Sequence, residues 1–197
     1  MLETMDANTL APRQTAVHGR LRIFSLYVDF PGSVRARWAN CTLSQLAGEN
    51  WVTSTEMWRL DSASTSIAIR NMIAGEAARA DILLVTISNL NYRQHELVAW
   101  LESVAICPTD RQSPGLFIGL FGEDDHQSGE LKWTVDQCRN CSLSMNRDFI
   151  WHCMETAAPT DDSWLKVNLD TFLSLKLKLL EKALCAALPL RSEAVPA

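Results

Sequence analysis

A doubly wound α/β sandwich is the fold this sequence predicts, with five parallel strands in the order 2-1-3-4-5 and a long C-terminal helix. Three observations predict it. The run Asp81 to Ser88 (DILLVTIS) has no polar face, as a strand covered by helices on both sides requires. Similar apolar runs alternate with segments of helical period along the chain, and parallel neighbours need such crossovers. One run, Trp51 to Leu60, carries Thr, Ser and Glu and so suits the sheet edge that this order gives the second strand.

Residues 1–19 are polar and aperiodic and read as a tail, leaving a domain over 20–188 and a short tail over 189–197. Leu21 to Phe30 is apolar on both faces and makes the first strand. Pro31-Gly32-Ser33 turns the chain, with Ser33 as the N-cap of a helix that carries Val34, Trp38 and Cys41 at helical spacing and ends near Gly48. After the edge strand, Asp61 and its Ser/Thr cluster start a second helix with a buried stripe of Ile69, Met72, Ile73, Ala77 and Ala80. DILLVTIS is the third strand, and Ser88-Asn89-Leu90-Asn91 opens a helix with Leu97, Leu101 and Val104 inward. Leu116 to Gly122 is the fourth strand, Glu123 to Glu130 an acidic loop, Leu131 to Leu143 the fourth helix and Phe149 to Met154 the fifth strand.

The final helix runs from Ser163 to Leu188. Its length, about 26 residues or roughly 39 Å, exceeds that of a sheet strand. Leu165, Leu169, Leu173, Leu177, Leu180 and Leu184 form one stripe; Val167, Leu175 and Leu179 form a second. One stripe covers the sheet. The other either wraps onto the same domain or joins two chains, so Leu175 and Leu179 are the expected dimer interface.

Composition excludes several roles. The 47% hydrophobic content of 197 residues is ample for a core, and the net charge of −5 argues against duplex nucleic acid as the main partner. No segment holds the roughly 20 apolar residues of a membrane span, and the start lacks a secretory apolar run, so a cytoplasmic protein is expected. Six scattered cysteines suit reduced, packed thiols better than a disulfide scaffold.

In a doubly wound sheet, ligands sit outside the carboxyl ends of the strands. The candidates there are Asp29, Ser33, Asp61, Ser88, Asn89 and Asn91, with Glu123 to His126 and Glu155-Thr156 beyond them. Neither GxxxxGK[ST] nor GxGxxG occurs. The Pro31-Gly32-Ser33 turn could offer N–H groups to a phosphate, and Ser62 to Ser66 is the kind of loop that holds flavin or a nucleotide. No cofactor is otherwise implied. Cys138-Arg139-Asn140-Cys141 is a CxxC with His152 and Cys153 downstream, a potential zinc set. It falls within a helix, and adjacent His152 and Cys153 on a strand face opposite ways, so packed thiols are expected.

The strand order and these end residues resemble flavodoxin-like domains, and among them the receiver domains of bacterial two-component signalling. The receiver resemblance covers about residues 20–188 and implies an acidic pair after the first strand and an acceptor aspartate ending the third. Here Asp29 stands alone and the third strand ends in Ser88-Asn89, which leaves phosphotransfer without its carboxylates. Ser88 to Glu102, SNLNYRQHELVAWLE, is loosely similar to TIR and nucleoside deoxyribosyltransferase domains. That resemblance implies cleavage of an N-glycosidic bond with Glu96 as the catalytic carboxylate, although Trp100 follows the glutamate here where the TIR pattern places it before. The expectation is a non-catalytic, receiver-like regulatory or protein-interaction module, a homodimer or protein partner engaging the last helix. The alternatives are Glu96-dependent glycosidic hydrolysis and flavin or nucleotide binding.

Overall fold

The computed structural model describes residues 19–64, 66–88, 93–109, 114–122, 129–154 and 162–187, with side chains of 64 and 180–187 excluded. Strands β1 (Gly19–Tyr27), β2 (Trp51–Arg59), β3 (Ile82–Ile87), β4 (Gly115–Gly122) and β5 (Arg147–Met154) pair in parallel in the order β2-β1-β3-β4-β5. The predicted fold class and strand order are those observed. β3 and β4 are buried at every residue, as their unbroken apolar sequences require.

Helices α1 (Phe30–Ala47) and α6 (Ser163–Ala187) cover one face, over a core that includes Leu43, Ile82, Leu84, Ile118 and Leu169. Helices α2 (Leu60–Ser64), α3 (Ile67–Arg79), α4 (Gln94–Ala105) and α5 (Gly129–Ser144) cover the other, around Phe24, Val85, Trp100, Phe117 and Phe121.

Three local expectations change. Helix α1 starts earlier than expected: Asp29 is its N-cap, Pro31 sits in the first turn where its missing N–H is no loss, and Ser33 lies inside the helix. Phe30 therefore belongs to the helix and not to β1. The inward face of α1 is made of Gly32, Arg35, Ala36, Ala39 and Leu43, while Cys41 is exposed and Val34 and Trp38 are half-buried. Small side chains let this helix lie close on the sheet.

The segment after β2 is two helices, α2 and α3, and Ser66 caps the second by accepting from the Ile69 N–H. The inward residues of α3 are Ile73, Ala74, Ala77 and Ala78, whereas Met72 is 53% exposed and Ile69 37%. Ile73, Ala77 and Ala80 of the expected stripe are buried, and Ala74 and Ala78 join them in place of the two larger side chains. Asn89 and Asn91, expected to open the next helix, lie outside the described residues, as do Leu188, residues 1–18 and the C-terminal tail, whereas Gly19, expected in the tail, is the first residue of β1; α4 itself begins at Gln94.

Over its described side chains helix α6 divides its surface as expected, with Leu177 half-buried and Phe172 joining the inward stripe; Leu180 and Leu184 lie outside the described side chains. Leu165, Leu169, Phe172 and Leu173 are buried, each contributing about 2 kcal/mol, whereas Val167, Leu175 and Leu179 face solvent. Lys176 fixes the helix to the sheet by an ion pair with Asp81, just before β3, and lies over the Trp51 ring at 5.9 Å. At ~1.5 Å per residue α6 is ~37 Å long, against ~26 Å for the eight residues of β5, so it outruns the sheet.

Candidate functional site

The carboxyl ends of β1 and β3 are joined by the side chain of Asp29. Its Oδ1 accepts the Gly32 N–H at 2.7 Å, and its Oδ2 accepts the Ser88 N–H at 2.9 Å. The first bond caps α1, where a carboxylate also meets the positive end of the helix dipole. The second reaches across to the residue that follows β3.

Arg35 completes the junction from one turn further along α1. Its buried guanidinium donates to the Ser88 Oγ at 2.6 Å, to the Ile87 carbonyl at 3.4 Å and to the Met154 carbonyl at 3.2 Å. It thus ties α1 to the ends of both β3 and β5. Thr86 adds a bond from its Oγ1 to the Gly32 carbonyl at 2.7 Å.

Two glycines make this packing possible. A Cβ on Gly32 would lie 2.8 Å from Asp29 Oδ1 and 3.0 Å from the Thr86 carbonyl oxygen. A Cβ on Gly122, at the end of β4, would lie 2.4 Å from the Ser88 carbonyl oxygen, which is backbone and cannot move aside cheaply.

Of the expected strand-end residues, Asp29 and Ser88 are therefore brought into contact. Ser33 stands beside them on α1, its hydroxyl donating to the Phe30 carbonyl at 2.6 Å. Asp61 belongs to a separate group, paired with Arg59 at 2.6 Å and with Arg93. Asn89, Asn91, Glu123 to His126 and Glu155-Thr156 lie outside the described residues.

The junction also bears on phosphate binding by the Pro31-Gly32-Ser33 turn. A phosphate there would need the α1 N-terminal N–H groups, and the Gly32 donor is already taken by a carboxylate. An incoming anion would have to displace Asp29 or lie against it.

Glu96 is exposed in the first turn of α4, and Trp100 is buried and stacked on Phe24 at 6.0 Å. The tryptophan of the TIR-similar stretch thus serves the core. Cys138 and Cys141 pack among Leu131, Val135 and Met145. Burial pushes both thiols above their ordinary 9.0, with Cys141 adding to the effect on Cys138 and the Glu102 carboxylate adding to that on Cys141. Neutral thiols are poor ligands and poor nucleophiles. His152 stacks on Trp164 at 4.7 Å, on the α6 side of the sheet, whereas Cys153 packs against the core on the other. Among the described residues no three His, Cys, Asp or Glu side chains group closely enough to hold a metal ion.

Sequence reasoning missed Arg35, Arg37 and Arg59. Arg35 and Arg37 are two residues apart on one helix and so point to opposite sides. A signal for the buried one was present: Arg35 shares a face with Gly32, Ala36 and Ala39, small residues that leave a long side chain room to cross the sheet.

No protein-family model matches the sequence, and no curated protein matches it. Among solved structures, the chain is similar to a short-chain flavodoxin associated with a PDU bacterial microcompartment, at 14% identity and a TM-score of 0.44, over 81% of this chain and 98% of that one. It is also similar to a mutation variant of SsGBP, at 14% identity and a TM-score of 0.48, over 81% of this chain and 57% of the other. The fold assignment rests on the strand order of the sheet itself. No described helix is long and apolar enough to cross a membrane.

Proposed function

We propose that this protein acts by binding, as a non-catalytic, receiver-like regulatory or interaction module that pairs with a second copy of itself through α6. The observation that carries this reading is the unused stripe of that helix. Leu175 is 49% exposed and Leu179 40%, on a helix whose other stripe already fills the core. With Pro114 and Phe172 they border a groove of about 230 Å³.

The groove favours a second copy over an unrelated partner because it carries both charges. Lys178 and Asp148 both line it, so the groove offers a two-fold related chain both halves of a lysine–aspartate pair beside an apolar seam. At the opposite end of the sheet, Asp29, Arg35 and Ser88 bond to one another, as residues that hold a fold together do. A regulatory role fits a domain that has kept the receiver-like sheet while lacking the acceptor carboxylate.

Sedimentation velocity at micromolar concentration tests the reading. The wild type should sediment as a dimer, and Leu175→Glu with Leu179→Glu as a folded monomer with an unchanged circular dichroism spectrum. A monomeric wild type at that concentration would overturn the self-pairing.

A further inference from the structure

A cleft of about 510 Å³ opens at the carboxyl ends of β1 and β2, away from the α6 groove. One wall is a single stripe of α1: Phe30, Ser33 and Arg37, spaced three and four residues apart. The other is the sheet. Met57 and Arg59 are two apart on β2 and share a face, and Tyr27 is the register partner of Arg59. The volume lies within the ~300–1,000 Å³ common for small-molecule sites.

The lining is cationic in a chain of net charge −5. Among the lining residues Asp29 is the one acid, and it already accepts two backbone N–H groups, while Arg59 also pairs with Asp61 at the cleft's border. Arg37 is exposed and makes no hydrogen bond or ion pair among the described residues. Arg59 shares Asp61 with Arg93 and keeps about half its side chain in solvent.

Phe30 supplies the second half of the chemistry. It is 80% exposed at the first position of α1 and lines the same cleft as Arg37 and Arg59. A lone exposed phenylalanine is ordinary; one that lines a cleft with Tyr27 and two arginines offers a flat ring a surface.

We propose that this cleft binds a small organic anion with a flat ring, its phosphate or carboxylate held by Arg37 and Arg59 and its ring against Phe30 and Tyr27. Guanidinium forks suit both anions, and stacking selects for the ring. The anion is held by the two guanidiniums and not by the Gly32 N–H of the α1 N-terminus, which Asp29 occupies, and the proposal stands or falls apart from self-pairing.

Titration followed by calorimetry and by ¹⁵N–¹H spectra tests it. The probes are AMP and benzoate as ringed anions, inorganic phosphate and acetate as ring-free anions, and adenosine as the uncharged ring. At least one ringed anion should bind about tenfold or more tightly than its ring-free counterpart and than adenosine, with shifts centred on Phe30, Arg37 and Arg59. Arg37→Ala should weaken that binding by about tenfold or more, and Phe30→Ala should abolish the preference for the ringed probe. Both positions are exposed, so unchanged melting confirms that each variant is folded. Equal affinity for ringed and ring-free anions, affinity unmoved by Arg37→Ala, or no binding of any probe would overturn the proposal.

Discussion

Each end of the sheet buries an arginine, and the two ends use it differently. At the amino end, Arg147 is the first residue of β5. Its guanidinium donates to the carbonyls of Ala77 at 2.8 Å, Ala80 at 2.9 Å, Ala78 at 3.3 Å, Asp81 at 3.3 Å and Leu116 at 3.4 Å. Beside it Asp81 accepts the Arg22 N–H at 2.8 Å and pairs with Lys176. At the carboxyl end, Arg35 shares its junction with Asp29, and the neighbouring cleft keeps Arg37 without a partner among the described residues.

The difference follows from how a parallel α/β sheet is wound. Crossover helices run back against the strands, so their C-termini, with unpaired carbonyls and negative dipole ends, gather at the amino edge of the sheet. A buried cation there meets backbone acceptors, as Arg147 meets the carbonyls of Ala77, Ala78 and Ala80 at the end of α3 and those of Asp81 and Leu116. Helix N-termini gather at the carboxyl edge, where donors are in excess and a carboxylate is needed to take them. Asp29 fills that role for α1. One end is therefore closed by the backbone, and the other is held by side chains, which is where a binding surface has room to form.

Replacing Arg147 should give the largest effect. Arg147→Met removes a donor from the Ala77, Ala78 and Ala80 carbonyls, of which Ala77 keeps the Ala80 N–H, at an expected cost of ~3 kcal/mol. At ~2–4 °C per kcal/mol for a chain of this size, melting should fall by ~10 °C, measured by calorimetry. If Arg147→Met melted like wild type, water would be serving those carbonyls and the amino end would not be closed.

The carboxyl-end junction should be weaker and cooperative. Asp29→Ala loses a cap worth ~1 kcal/mol and a second bond to the Ser88 N–H, for ~2 kcal/mol in all; Arg35→Met should cost a similar ~2 kcal/mol. Because both residues hold Ser88, the double variant should cost less than the sum, by ~0.5 kcal/mol or more, in denaturant titrations. Strict additivity would show two separate features in place of one junction.

How much of this was legible in the sequence depends on the kind of residue. DILLVTIS and LFIGLFG declared two buried strands, and the polar run from Trp51 declared an edge, because burial on both faces leaves no solvated face for a polar row. Thr86 within β3 is buried with its hydroxyl bonded to the Gly32 carbonyl. Leu175 and Leu179 were legible as a second stripe because helical spacing is local. Asp29 and Ser88 could be placed at the same sheet end, but not as bonded partners, since the bond spans 59 residues of sequence. Arg35, Arg37 and Arg147 read as three ordinary surface cations. Their fates diverge through which carbonyls the fold places nearby; the small residues that share a face with Arg35 are the one local sign of its burial, and they do not name its partners.

The thiols of α5 probe how firmly the helix closes over the core beside the amino end. Both pKa values lie above 9.0, so the folded chain holds Cys138 and Cys141 protonated where the unfolded chain ionises them. The sign follows: this contribution to stability is complete below pH 9 and shrinks as pH rises above it. At pH 8, Cys41, exposed on α1, should react with a maleimide within minutes, and Cys138 only on the timescale of unfolding. Mass spectrometry of labelled peptides separates them, and equal labelling would mean that α5 opens freely.

The smallest effect is expected at Arg37, and it is the one that sharpens the contrast with Arg35 most. The two side chains leave the same helix two residues apart, one into a buried junction and one into an open cleft. Arg37→Ala should change stability by no more than ~0.5 kcal/mol, as a surface substitution with no partner does. Arg37 lines the same cleft as the exposed Phe30 ring and Arg59, the setting of the proposed anion site. If Arg37→Ala instead cost as much as Arg35→Met, Arg37 would be part of the frame, and the carboxyl end would be as closed as the amino end.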